Sequence, residues 1–139
     1  VTAVCDLYAD RAESAANKVE EKSGKRPTEY TDYKKLLADE SVDAVVISCA
    51  WEDHVIIAVD AMKAGKAVGL EVGGAYSVHQ CWELVKTYEE TKTPIMMLEN
   101  CCYGRRELML LDMVNKGMFG EVVHCKFGKD FLGNILLFF

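Results

Sequence analysis

The sequence predicts an α/β fold built on a parallel sheet with helices on both faces. Three observations lead there. Short apolar runs alternate with amphipathic stretches about five times along the chain, joined by short links. One run, "VDAVVISC" (42–49), is continuously apolar, as in a parallel strand buried on both faces. The strong runs end in polar or acidic residues, most plainly in "AVGLEVGGAYS" (67–77), where a strand stops on Glu71 and glycines follow at once.

Taken in order, "VTAVCD" reads as a buried strand, and Ala9 to Lys22 as a helix with Ala12, Ala15, Ala16 and Val19 on one face. Gly24 and Pro27 stop that helix. A short strand is expected around Glu29 and Tyr30, and Asp32 can cap a short helix, "YKKLLADE". The 42–49 strand follows. A helix is then expected from Asp53 to Ala64, closed by Gly65, and "KAVGLE" is the next strand. Ser77 starts a helix to about Thr91, Pro94 precedes the strand "IMML", and a helix from Tyr103 to Lys116 ends at Gly117. "EVVHCKF" begins a further strand. The closing "ILLFF" is apolar and β-prone, so it is expected to be buried, against its own sheet or in a symmetric dimer joining the "EVVHCKF" strands.

A chain of 139 residues has room for one domain with a real core. The net charge of −6 argues against nucleic acid or an anionic membrane as partner. No apolar run approaches the roughly 20 residues of a membrane helix. There is no secretory signal pattern, which points to the cytoplasm. The six cysteines show no CxxC and no metal spacing, and read as reduced, small apolar residues.

In parallel sheets ligands bind at the carboxyl ends of the strands. Those ends carry Asp6, the segment "AWEDH" (50–54), Glu71, and the pair Glu99 and Asn100. Asp6 suits the acid that accepts hydrogen bonds from an adenosine ribose. Any one of these acids also has a plain explanation, since helix N-termini favour negative charge. Gly73 and Gly74 either keep a pocket clear of side chains or serve as a flexible strand-to-helix turn. His79 is expected on an exposed helix face, His124 in a sheet, and Arg105 and Arg106 on a solvated helix face.

The segment "YTDYKKLLADESVDAVVISCAWEDHVIIAVDAMKAGKAVGLEV" resembles the glucose–fructose oxidoreductase and inositol dehydrogenase family (Gfo/Idh/MocA), over about residues 1–128. The matching features are His54, the Ala64-Gly65-Lys66 turn and Glu71. Where the family's dehydrogenases carry a catalytic Lys and then Pro, this chain has Val72 and Gly73. "WEDH", "EV", "MMLENCCY" and "NKGMFGEVVHC" are most similar to the branch of NAD-dependent hexosaminidases, glycoside hydrolase family 109.

The resemblance implies a Rossmann-like domain that holds NAD. By it, Asp6 would bind a ribose, and Trp51 and Glu52 would lie beside the dinucleotide, with Asp53 next to them in place of the branch's usual second aromatic. His54 and Glu71 would sit near the nicotinamide ribose, Val72 would contact NAD beside them, and Asn100 would lie near the nicotinamide. Tyr103 is the candidate acid–base residue, and reads equally as core packing at the start of its helix. The implied chemistry is redox-assisted cleavage of a glycoside, which avoids the paired carboxylates of ordinary glycosidases. The implied division is an incomplete NAD-binding domain at 1–120, lacking its first strand and glycine-rich phosphate loop, and the start of a truncated sheet domain at 121–139. With the strand that normally lies between the first and third strands absent, the sheet is expected to be gapped, re-paired or filled. Alternatives of another class stay open: a non-catalytic remnant that associates as a homo-oligomer through its apolar ends, or a simple sugar dehydrogenase, which Val72 disfavours.

Overall fold

Alternating strands and helices fill the first hundred residues. The structure, a computed structural model, describes residues 1–123, 126–129 and 135–138. The backbone forms two units, Val1–Glu99 and Asn100–Phe139. The first runs β1 (Ala3–Cys5), α1 (Ala9–Ser23), β2 (Thr28–Tyr30), α2 (Tyr33–Leu37), β3 (Ala44–Ile47), α3 (Trp51–Lys63), β4 (Ala67–Leu70), α4 (Val78–Thr91) and β5 (Ile95–Met97). The second holds a 3-10 turn (Asn100–Tyr103), α5 (Arg105–Asn115), β6 (Lys126–Lys129) and β7 (Ile135–Phe138).

Local chemistry sets most of these boundaries. Asp32 accepts from the Lys34 N–H and Ser77 from the Gln80 N–H, each satisfying a donor that the first helical turn leaves free. Gly24 ends α1 at φ 70°, a left-handed conformation that suits a residue without a side chain. Two boundaries differ from expectation. Helix α3 starts at Trp51, two residues before the expected Asp53, on an Ala50 N-cap whose side chain offers no bond. The helix expected from Tyr103 is a 3-10 turn followed by α5 from Arg105.

All strand pairs of the first unit are parallel, in two sheets. β1 pairs with β2, and β4 lies between β3 and β5. No backbone hydrogen bond among the described residues joins β1 to β3, so the strands expected in one sheet are separated by a gap. Helix α2 links the two parts instead. Leu37 is buried in the core around Ile47, and the Tyr33 hydroxyl donates to Asp60 Oδ2 of α3 at 2.9 Å. Just beyond α2, the Asp39 carboxylate accepts from the Tyr30 hydroxyl of β2 at 2.9 Å, and its carbonyl accepts from Lys66 Nζ, beside β4, at 3.0 Å.

The core lies on one face of β3–β4–β5. Ile47, Val68 and Leu70 pack against Ala58, Ala61 and Met62 of α3, and Leu84 of α4 joins them. The other face is bare. Val46 is 71% exposed and Met96 54%, and no helix of the first unit covers them. Helix α1 packs on β1 and β2. The expectation of helices on both faces therefore fails for β3–β5, and "VDAVVISC" is not buried on both sides. A continuous apolar run reports what a strand could bury, not which neighbours are present. The same holds for β1, where Cys5 is exposed, and for the cysteines as small apolar filler, since all five in the described residues are exposed.

In the second unit β7 pairs antiparallel with β6, Lys126 opposite Phe138. Residues 121–123 of "EVVHCKF" are not strand, while His124 and Cys125 lie outside the described residues. The expected burial of the "ILLFF" side chains also falls outside them. Among the described residues no helix is long and apolar enough to cross a membrane.

Two outcomes follow. Neighbours on β3 should respond oppositely to truncation: Ile47→Ala should cost about 2–5 kcal/mol in denaturant unfolding, and Val46→Ser should stay within about 0.5 kcal/mol. Burial, and then the bond to Asp60, push the Tyr33 phenol up to about 12 from its ordinary 10. A raised pKa means a contribution fully present below pH 10 and lost as pH rises to about 12. Tyr33→Phe should remove one phenolate step near pH 12 in absorbance titration and flatten the loss of stability between pH 10 and 12.

Candidate functional site

The carboxyl ends of β3, β4 and β5 stand level, because Ile47 and Met97 both pair with Leu70. The ladder runs one residue further on each side. The Glu71 N–H donates to the Ile47 carbonyl at 3.0 Å, and the Leu98 N–H to the Leu70 carbonyl at 2.8 Å. Glu71 thus stands beside the end of β3 and the start of α3. Its side chain is half-buried, and its Oε2 accepts from the Val72 N–H at 3.3 Å.

From this point α3 presents Trp51, Glu52 and Asp53, all exposed, in its first turn. The positive end of the helix dipole stabilises the two acids there. His54 differs. It is 1% exposed, its Nε2 lies 3.2 Å from the Cys49 carbonyl, and its Nδ1 has no hydrogen-bond partner. The ring ties the end of β3 to the first turn of α3. A buried polar atom left unpaired costs about 1–3 kcal/mol, a cost that a ligand donor could relieve.

Opposite Trp51 the loop after β4 holds Val72, exposed, and Gly73 at φ 92°. A Cβ on Gly73 would lie 2.5 Å from Trp51 Cδ2, so the indole occupies the space that any other residue would fill. A Cβ on Gly74 would meet Leu70 Cδ2 at 3.0 Å and Met97 Cε at 3.4 Å. Gly73 is therefore required by packing as well as by the turn, while Gly74 is held to a small residue by close side-chain neighbours alone. The sequence flagged the pair, but gave no sign that Trp51 was its partner.

The structure thus brings Trp51, Glu52, Asp53, His54, Glu71 and Val72 to two adjoining strand ends. Asp6 follows β1 in the other sheet, where its carboxylate accepts from the Tyr8 N–H at 2.9 Å and its own N–H donates to the Tyr30 carbonyl at 3.2 Å. Asn100 and Tyr103 open the second unit, both exposed. Partial shielding from water by neighbouring atoms, with Asp53 adding to it, pushes the thiol of the surface residue Cys49 up; the same shielding with Asp32 and Asp6 does so for Cys5. Neither is poised as a nucleophile. Among the described residues no group of three or more His, Cys, Asp or Glu could hold a metal. His79, exposed in the first turn of α4, lines a surface hollow with Lys63, Trp82 and Lys86.

These groups suit the sugar hydroxyls of a dinucleotide better than its phosphates. Carboxylates accept hydrogen bonds from hydroxyls, and an exposed indole offers an apolar plane. Phosphates want bare N–H groups at a helix start, yet the first turns of α1 and α3 carry Asp10 and Glu52 with Asp53.

Known proteins resemble this chain in sequence and in fold. The profile described as "Oxidoreductase family, NAD-binding Rossmann fold" (GFO_IDH_MocA) matches residues 1–99. The chain is 42% identical over 128 residues to glycosyl hydrolase family 109 protein 1 of Akkermansia muciniphila, a match that covers 89% of the chain and 27% of that protein. It is 39% identical over 126 residues to the alpha-N-acetylgalactosaminidase of Shewanella oneidensis, covering 88% of the chain and 28% of the enzyme. The chain therefore spans little more than a quarter of the length of these curated relatives. Among solved structures, an NAD binding oxidoreductase from Klebsiella pneumoniae superposes with a TM-score of 0.75 at 25% identity, covering 87% of this chain and 31% of that one. The WlbA dehydrogenase from Bordetella pertussis, solved with NADH and UDP-GlcNAcA, shares the fold with a TM-score of 0.74 at 19% identity, over 86% of this chain and 35% of its own. By its profile and its parallel βα units, the chain belongs to the Gfo/Idh/MocA oxidoreductase family, with residues 1–99 matching its NAD-binding Rossmann fold.

Proposed function

We propose that this chain is the ribose- and nicotinamide-binding part of a larger NAD-dependent glycosidase. The observation that carries the reading is the shared rim of β3 and β4, where Glu71 and Val72 stand beside Trp51, Glu52, Asp53 and the buried His54. Glu71 would hold ribose hydroxyls, Trp51 would cover a ring face, and Asp6 would take the adenosine ribose. Asn100 is assigned to the nicotinamide end and Tyr103 to proton transfer on the substrate sugar. NAD, when bound, would supply reversible hydride transfer at a sugar carbon. Val72 in place of a lysine leaves that position without an acid–base group, which favours a glycosidase over a simple alcohol dehydrogenase. The glycosidase name carried by the 39% identical Shewanella oneidensis protein supports a glycoside as substrate class.

The gap between β1 and β3 supports a second part of this reading. A parallel strand would pair with both, and its loop and helix would bring the glycine-rich phosphate cradle that the described residues do not provide. The helix would also cover Val46 and Met96. We take residues 1–120 as the NAD-binding part and 121–139 as the start of the substrate sheet, a division supported by the antiparallel β6–β7 pair. The second reading is a non-catalytic remnant, favoured by the same bare face if nothing in the intact protein fills the gap.

Calorimetry separates them. The 139-residue chain alone should bind NAD weakly or not at all. Each missing charge-assisted phosphate bond is worth about 1.5–3 kcal/mol, and about 1.4 kcal/mol is tenfold in affinity. Adding the strand–loop–helix unit of the Akkermansia muciniphila relative before Val1 should restore NAD binding, and Glu71→Gln in that protein should weaken it about tenfold. Micromolar binding by the chain alone would overturn the phosphate argument. A folded extended protein that binds no NAD would favour the remnant.

A further inference from the structure

The fit between Trp51 and Gly73 joins two loops that the strand register does not connect. Trp51 is the first residue of α3, and its Ala50 N-cap provides no side-chain bond that would fix the entry of the chain. The indole nevertheless has a definite seat. Its Cδ2, Cε2 and Cγ atoms lie 2.5, 2.6 and 2.6 Å from where a Cβ on Gly73 would be. Trp51 is still 55% exposed, so the ring rests on the glycine and leaves much of its surface to solvent. Gly73 is constrained a second time by φ 92°, which side chains rarely adopt. Proline, which the resemblance puts at this position in the family's dehydrogenases, is locked near φ −65° and could not follow this path.

From this we infer that Gly73 is the positioning residue of the rim. Its missing side chain seats the Trp51 indole across the loop after β4, and so makes a flat aromatic floor beside Glu71 for a ring-shaped polar ligand such as a ribose. The ligand assignment rests on the cofactor reading above; the seating itself does not. Gly73 acts through Trp51 and touches no reacting atom.

The test uses a Trp82→Phe background, which leaves Trp51 as the sole indole. Gly73→Ala should shift the Trp51 emission to the red and raise its quenching by acrylamide, as the ring is pushed into water. It should also lower the melting temperature, and lower it less when Trp51 is already Ala, because the side chain it meets is gone while the backbone strain remains. If Gly73→Ala does not fold, Gly73→Asn replaces it, since Asn tolerates positive φ better. In the strand-extended protein Gly73→Ala should weaken NAD binding at least threefold. An unmoved emission together with equal losses in both Trp51 backgrounds overturns the inference, whatever binds. If the emission shift and the coupling are seen but the extended protein binds no NAD, the seating stands and the cofactor reading falls.

Discussion

Two sheets that share no strand pairing are held together by one short helix and the turn after it. Helix α2 places Leu37 in the core and Tyr33 against Asp60 of α3, while Asp39 reaches Tyr30 of β2 and Lys66 beside β4. The hydrogen bonds are worth about 0.5–1.5 kcal/mol each, so the buried leucine supplies more of the attachment than any one of them. What the polar contacts add is direction. They fix the β1–β2 pair against the α3 layer, and with it the place of Asp6 relative to the rim built by β3 and β4. A ligand that needs both would feel any slackness in this link as lost affinity.

Much of this fold was legible because its instructions are local. Asp32 and Ser77 announce helix starts through their side-chain oxygens, and Gly24 announces a stop through its backbone freedom. Alanines 12 and 16 mark the packed side of α1 by spacing alone. The errors occur where the deciding partner is distant or absent. Helix α3 begins at Trp51 without a capping side chain, so nothing in the sequence marks its first turn. Val46 looks like core, and only the missing neighbour makes it surface. At the rim, residue types pointed to the carboxyl ends of the strands, where the structure places them, and the glycine pair pointed to a crowded place. That the crowding came from Trp51, 22 positions earlier, is a tertiary fact that spacing cannot supply.

The rim also shows how one residue can matter through both its backbone and its bulk. At most turns a glycine answers to conformation alone, and asparagine is a fair substitute. At Gly73 conformation and volume point the same way, so neither a left-handed side chain nor a small right-handed one is free of cost. His54 is the complementary case: a polar ring buried where apolar packing would serve, with one nitrogen spent on the Cys49 carbonyl and the other unspent.

The interrupted sheet has a consequence for how the molecule breathes. A continuous five-stranded sheet has two outer edges; two sheets of two and three strands have four. In the first unit only β4 is bonded on both sides. Its amide protons are therefore the ones most deeply locked, while those of β1 and β3 that face the gap can trade with water without any neighbouring strand having to part. Slow exchange should concentrate in Ala67–Leu70 and the adjoining turns of α3, leaving a rigid centre flanked by two softer margins.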